Sequence, residues 1–352
     1  MKKVSNTLIE FGSLMESSFA TILATHFSEA KKIILVDENT HIQCLEKLLT
    51  QFEALSTAEV IIIPEGETNK TMEVAMQVCL AFKDYGIGRH DLLINLGGGI
   101  VTDIGGFIAS IYNRGISCIH IPTTLLGMVD ASIGGKTAVD LESAKNLLGT
   151  FYSPVAVFVD HTFLTTLPEA EWYNGMAEML KHALISDKRL WEKLNGIKKA
   201  KKEITLDLIR KCASIKMKVV LEDPMEKGNR KHLNFGHTVG HALEAYFMKA
   251  KNPLSHGHAV ALGMIAESFL SMKKGALSEK EFRQVLAYIS LSYPFVSLTE
   301  RDCKEVLSFA RLDKKNTSNK ITLVLLKEIG KVDGVYQVDD SDFIECLTYI
   351  TK

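Results

Sequence analysis

Apolar residues in the first half of the chain come in short unbroken runs. These are KKIILVD (31–37), EVIIIP (59–64), DLLINLGGG (91–99), ISCIHIP (116–122) and VAVFVD (155–160). Each is too short for a typical helix and lacks polar alternation, as expected of strands buried on both faces of a parallel sheet. Longer stretches lie between them. Residues 71–85 bring Val74, Val78, Ala81 and Phe82 to one side of a helix. Strand alternating with helix predicts a doubly wound α/β domain over residues 1–168. From residue 169 the short runs nearly vanish. Amphipathic stretches such as 204–221 and 257–273 predict a mainly helical second domain, 169–352, in which ITLVLL (321–326) and GVYQV (334–338) can pair as a small hairpin.

Composition narrows the choice of function. The chain has 352 residues, 46% hydrophobic and 24% charged, with a formal net charge of −1. That balance argues against a nucleic-acid-binding surface, which needs a basic excess. No apolar run approaches the ~18 residues of a membrane span, and the two lysines at the start precede no signal-peptide core. Six cysteines stand singly, without a CxxC pair, and read as reduced thiols in a cytoplasmic protein.

Candidate chemistry gathers in three places. First, Gly97-Gly98-Gly99 follows a strand and precedes a helical stretch at 104–111. Such a loop lets backbone amides approach a pyrophosphate beside a helix N-terminus. Thr102 stands where the last glycine of GxGxxG would fall, and a plain tight turn uses the same residues. Asp37, ending an earlier run, suits either ribose hydroxyls or a helix N-cap. Second, five of the 11 histidines lie between His232 and His258. His237 and His241 share a helical face, His256 and His258 open another helix, and NGMAEMLKHALI puts Glu178, Lys181 and His182 on a common face. A carboxylate with two imidazoles is a catalytic zinc set that leaves one position open. Periodicity does not choose among the histidines, and any one of them serves equally as a hydrogen-bonded structural residue. Third, Lys136 in IGGKTAVD, Lys145-Asn146 in AKNLLG, Arg230 and Asn234 in RKHLN, and Lys216 suit a phosphate or carboxylate ligand.

Together GGGIVTDIGGF, YNRGI, IPTTLLGMVDASIGGKTAVD, AKNLLGTFYSP, LPEAEWYNGMAEMLKH, GNRKHLNFGHTVGHALE and HGHAVALGM resemble the 3-dehydroquinate synthase family, in order and over most of the chain. The resemblance implies a Rossmann-like N-terminal domain, an all-helical C-terminal domain and an active site in the cleft between them. It implies zinc, or cobalt in its place, held by Glu178, His237 and His256. NAD would meet Asp37, Asn39, Glu67, Lys70, Gly98, Gly99, Asp103, Thr123 and Thr124, with Lys136, Lys145 and Thr166 nearby. Asp130, Lys136, Lys145, Asn146, Lys181, Lys216, Glu226, Arg230, Asn234 and His241 would serve the sugar-phosphate substrate, joined by Lys314 or Lys315. Arg114 matches a family arginine that crosses into a partner subunit, implying a homodimer.

The implied reaction converts 3-deoxy-arabino-heptulosonate 7-phosphate to 3-dehydroquinate and phosphate. Its steps are NAD-mediated oxidation, phosphate elimination, re-reduction, ring opening and aldol closure, in the shikimate pathway of aromatic amino-acid biosynthesis. The alternatives are another sugar-phosphate cyclase, a metal-dependent polyol dehydrogenase, and a catalytically silent protein that binds metal and nucleotide. Two positions depart from the family pattern. His258 stands where glutamate is usual, and Pro224 replaces a frequent acid after Asp223.

Overall fold

The computed structural model describes residues 2–4, 7–141, 144–312 and 320–351. The chain forms two compact units, Met1–Trp172 with Thr205–Pro224, and Tyr173–Ile204 with Met225–Lys352.

The first unit is built on a seven-stranded sheet in the order β1 (Lys2–Val4), β2 (Thr7–Phe11), β9 (Ala156–Val159), β6 (Ser117–Pro122), β5 (Leu92–Gly97), β3 (Lys32–Asp37), β4 (Glu59–Ile63). Only β1 runs antiparallel to its neighbour. Four of the five unbroken apolar runs are inner strands, β3, β5, β6 and β9: every residue of β5 is buried, as are Ile33, Leu35 and the two residues between and after them in β3. The fifth, EVIIIP, is instead the edge strand β4, where only Ile63 is buried and Ile62 is exposed, because no further strand covers it. Helices Met72–Asp84 and Gly99–Ile111 cover one face, where Val74, Val78, Phe82, Ile104 and Ile108 pack on Ile33, Leu35 and Leu93.

A second sheet in this unit, the antiparallel pair β7 (Lys136–Leu141) and β8 (Ala144–Phe151), is not foretold by the apolar runs. Its strands are half polar, and Leu141, Leu147 and Phe151 are exposed, so no buried periodicity marks them. The helix after the glycines starts at Gly99, not near residue 104, so the glycine loop enters the first helical turn. The helix Leu206–Glu222 also belongs to this unit, where Lys216 pairs with Asp130.

A polar pair lies between two central strands of the first unit. The Asn95 side-chain amide on β5 donates to Nδ1 of His120 on β6 at 3.0 Å. Both residues are buried, and burial pushes the His120 pKa down to about 3.

The second unit is mainly helical, with Glu169–Ser186 entering it, followed by His237–Lys249, His256–Lys273, Glu279–Ser292 and Glu300–Leu312. The expected late hairpin is present as β10 (Ile321–Glu328) and β11 (Lys331–Val338). It docks on the fully buried Glu267, whose carboxylate accepts from the Val324 amide at 3.2 Å. The helices His237–Lys249 and His256–Lys273 cross at backbone distance. A Cβ on Gly263 would lie 1.9 Å from the Gly236 carbonyl oxygen, and one on Gly240 3.1 Å from the Ala259 carbonyl. Any side chain at Gly263 would force the helices apart.

His120 carries a pH signature. Its folded-state pKa lies below the ordinary 6.5, so the folded chain binds its proton less readily than the unfolded chain. Its contribution is complete above pH 6.5 and is lost as pH falls towards 3, at no more than about 1.4 kcal/mol per pH unit. His120→Gln, followed by denaturant unfolding at several pH values, should flatten this acid decline; an unchanged slope would show that His120 does not supply it.

Candidate functional site

In the first unit, the residues expected to meet a nucleotide collect at the carboxyl edge of the parallel sheet. Asp37 ends β3, Gly98 and Gly99 follow β5, and Thr123 and Thr124 follow β6. Strands β3 and β5 are neighbours, although the chain visits the outer strand β4 between them. That reversal is where open α/β sheets bind ligands. Gly98 stands at the N-cap of the Gly99–Ile111 helix without a side-chain cap bond. A Cβ there would come within 2.9 Å of Thr124, so a side chain would fill the approach. Asp37 is a helix N-cap, as one of its two readings required: Oδ1 accepts from the Thr40 amide at 2.7 Å and from the Thr40 hydroxyl at 2.8 Å. Its other oxygen is not used in that box. Asn39 bonds Glu65.

Lys70 joins three chain segments around this edge. Its Nζ donates at 2.6 Å to both Asp103 Oδ2 and Asn146 Oδ1, from the glycine helix and β8 respectively. Asp140 accepts from the Asn146 amide at 2.6 Å, and Lys145 lies 3.5 Å from Glu67. Burial opposes the Lys70 charge, but Asp103 and Glu67 outweigh it and hold its pKa above the usual lysine value. Burial lifts the Asp103 carboxyl, with Lys70 pulling the other way. Lys216 bonds both the carboxylate and the backbone carbonyl of Asp130, at 2.7 and 2.8 Å. Lys136 opens β7, and Thr166 closes the turn His161–Thr166. Arg114 has a left-handed backbone, φ 64°, in the turn after the glycine helix. The structure thus groups Glu67, Lys70, Asp103, Lys145 and Asn146 in one polar network.

The second unit contains a donor set of a different kind. Glu178, His237 and His256 come from three helices and place one ligand atom each within 4.8 Å of the others. Glu178 Oε1 lies 3.3 Å from His237 Nε2 and 3.5 Å from His256 Nε2. A tetrahedral ion with bonds of about 2.0–2.1 Å would separate its ligands by about 3.3 Å. The other ring nitrogens are engaged: His237 Nδ1 donates to the Phe235 carbonyl at 3.1 Å, and His256 Nδ1 lies 3.4 Å from Glu244 Oε2. Such outer partners direct the Nε2 lone pair at a metal. This donor set fits a divalent cation.

Charge supports the same reading. Glu178 is wholly buried; burial alone would raise its pKa, yet Lys181 and His237 hold it well below the usual carboxylate range. Lys181 pairs with Oε2 and leaves Oε1 facing the imidazoles. Burial and Lys181 push His237 down to about 3. For His256, burial acts downward but Glu244 and Glu178 prevail, pushing it up to about 10. Positive charge is thus favoured at His256, between the Glu178 and Glu244 carboxylates, and disfavoured at His237.

His241 packs beside these rings, 5.3 Å from His237 between centroids. Asn234 donates to Glu226 at 3.0 Å, and Arg230 is buried in the turn Asn229–Asn234. His258 is turned away, its Nε2 donating to the Pro294 carbonyl at 2.6 Å. Lys314 and Lys315 lie outside the described residues. Glu244 was missed in the sequence, although it falls on the face of His237 and His241 in GHTVGHALE.

These features define a class: an α/β protein with a ligand site at the carboxyl edge of its sheet and a carboxylate–imidazole centre among helices. Comparison with known proteins narrows it. Residues 60–174 match the profile of the 3-dehydroquinate synthase N-terminal domain, and residues 175–316 that of the C-terminal domain. The 3-dehydroquinate synthase of Parabacteroides distasonis is 38% identical over 321 residues, 91% of each chain. That of Clostridium botulinum is 40% identical over 312 residues, 86% of this chain and 87% of the relative. Among solved structures, 2-deoxy-scyllo-inosose synthase complexed with carbaglucose-6-phosphate, NAD+ and Co2+ aligns with TM-score 0.83 at 25% identity, covering 97% of this chain and 95% of that one. The 2-epi-5-epi-valiolone synthase of Streptomyces hygroscopicus, with NAD+ and Zn2+ bound, aligns with TM-score 0.81 at 27% identity, covering 99% and 98%. The chain belongs to the 3-dehydroquinate synthase family.

The Lys70 network yields a stability test. Lys70→Met should cost about 1.5–3 kcal/mol, the range for hydrogen bonds to charged groups. Pairing it with Asp103→Asn should cost less than the sum of the two single changes in denaturant unfolding. Strict additivity would mean that the two side chains act independently.

Proposed function

We propose that this chain converts 3-deoxy-arabino-heptulosonate 7-phosphate to 3-dehydroquinate and phosphate, using NAD and a zinc ion, with cobalt as a working substitute. The observation that carries the reading is the Glu178 oxygen facing two imidazole Nε2 atoms at metal-ligand spacing, in a chain of this family. Glu178, His237 and His256 would hold the metal. Asp37, Asn39, Glu67, Lys70, Gly98, Gly99, Asp103, Thr123, Thr124 and Thr166 would hold the nucleotide, a role supported by the carboxyl-edge placement of its core members. When bound, the metal would supply Lewis-acid polarisation of a substrate alcohol, and the nucleotide would supply a hydride acceptor that returns the hydride within the turnover.

The remaining work falls to side chains. Lys136, Lys145 and Asn146 are suited to bind phosphate and hold it in the orientation for departure. Arg230, Asn234 and Lys216 suit a carboxylate, which favours an acid substrate over glucose 6-phosphate or sedoheptulose 7-phosphate. Asp130 orients Lys216, while Lys181 fixes the free orientation of Glu178. Glu226 aligns the Asn234 amide. His241, beside the two ligand rings, is placed to move a proton at a substrate hydroxyl. Lys314 is assigned to the substrate on family resemblance alone. Residues 1–168 would thus serve mainly the nucleotide, and 169–352 the metal and substrate.

A cytoplasmic setting is supported by six free cysteines, five of them buried. Among the described residues no helix is long and apolar enough to cross a membrane. A homodimer is supported by the exposed apolar residues Ile111, Leu141, Leu147 and Phe151 near the Arg114 turn and on the β7–β8 hairpin.

The decisive assay measures phosphate release from the three sugar phosphates with catalytic NAD. Release from the heptulosonate phosphate without net NADH is expected; accumulation of NADH would instead mark a dehydrogenase. Glu178→Gln should weaken zinc binding by more than about 100-fold, beyond the loss typical of outer partners, as read by chelator competition. Near-normal affinity would remove Glu178 from the ligand set. For the dimer, mixing inactive Arg114→Ala and Glu178→Gln chains should restore some turnover through mixed pairs, and no recovery would argue against a shared site.

A further inference from the structure

His256 is the first residue of its helix, so its position depends on how that first turn is held. Ser255 stands at the N-cap without a side-chain cap bond. The Gly257 amide instead donates to Oδ1 of Asn174, at 3.0 Å and in a buried setting. Asn174 lies on the Glu169–Ser186 helix one turn before Glu178, and a spacing of four puts both on one face. The contact is closed to any side chain: a Cβ at Gly257 would lie 2.5 Å from Asn174 Cα and 2.8 Å from its carbonyl oxygen. One residue further, His258 Nε2 donates to the Pro294 carbonyl at 2.6 Å. The neighbouring Tyr293 hydroxyl donates to the Tyr173 carbonyl at 2.8 Å. Both ties lead back to residues 173 and 174 on the Glu178 helix.

We propose that Asn174 is a positioning residue for the metal centre: by capping the first turn of the His256–Lys273 helix from the neighbouring helix, it sets His256 against Glu178. The two helices then share a register fixed at two points, Asn174 to Gly257 and Glu178 to His256. Helix first turns fray when their amides lack acceptors. A slip of one residue along the axis is about 1.5 Å, enough to carry the 3.5 Å separation of His256 Nε2 and Glu178 Oε1 out of ligand spacing. His258, at a position where the family usually has glutamate, supports the same turn through Pro294.

The proposal rests on Glu178, His237 and His256 as metal ligands, and its test separates the two ideas. Metal-free full-length protein is titrated with Co2+ against a chelator, reading both affinity and the ligand-field absorption of the bound ion. Asn174→Leu, which keeps the shape and removes the acceptor, should weaken Co2+ binding 10–100-fold and alter the absorption. Asn174→Asp, which keeps an acceptor at a helix N-terminus, should restore both towards the starting protein. Equal affinity and spectrum for Asn174→Leu and the unaltered protein would overturn the positioning role while leaving the metal centre intact. Failure of the unaltered protein to bind Co2+ would remove the metal reading, and this proposal with it. If Asn174→Leu does not fold, hydrogen exchange at the Gly257 amide of the unaltered protein decides: slow exchange supports the cap, and exchange as fast as an open first-turn amide overturns it.

Discussion

A carboxylate sealed from water governs the second unit. Glu178 has no solvent exposure, and a buried charge of this kind persists only if its surroundings supply opposite charge and hydrogen-bond donors at short range. Lys181 on the same helix supplies part, and two imidazoles from two other helices face the remaining oxygen. The demand for close approach explains the glycines at the crossing of those helices, since any side chain at Gly263 would strike the Gly236 carbonyl. Glu244 adds a second negative group behind His256. The result is a preformed cradle for a cation, paid for by tight helix packing.

The first unit solves a different problem by different means. Its parallel sheet leaves the ends of β3, β5 and β6 at one edge, and the loops there need little more than backbone to meet a ligand. Lys70 binds the glycine helix to the hairpin strand β8 through Asp103 and Asn146. Residues far apart in the chain are thereby held by one ammonium group. In that arrangement the same side chains stabilise the loops and present polar atoms to whatever occupies the edge.

Much of this was legible in the sequence, for identifiable reasons. Strands buried on both faces produce unbroken apolar runs, and β3, β5, β6 and β9 are legible that way; β4 carries the same run although it lies at the sheet edge with Ile62 exposed. The carboxylate and the two histidines were visible because helical spacing gathers them. What escaped notice has one-sided burial or acts through backbone. Strand β7 buries only Thr137, Ala138 and Val139, and no described residue of β8 is buried, so they lack the run. Glu244 is a lone acid in its helix, which reads as easily as a solvated charge, yet it is buried, and Asn174 works by accepting a single amide hydrogen, which no pattern of side-chain types announces. Asp37 showed the limit of local reading: the helix cap is present, and its second oxygen carries no mark of purpose in the sequence.

The helix Leu206–Glu222 groups with the first unit although the segments on both sides of it belong to the second. Neither unit is therefore a continuous stretch of chain. During synthesis on the ribosome the sheet can assemble early, but its last helix arrives only after Tyr173–Ile204 has emerged. A cut anywhere between the two would release a fragment lacking the partner of Asp130. Such interleaving ties the inheritance of the two halves together: recombination that exchanged one of them as a cassette would have to break the chain at three places, not one.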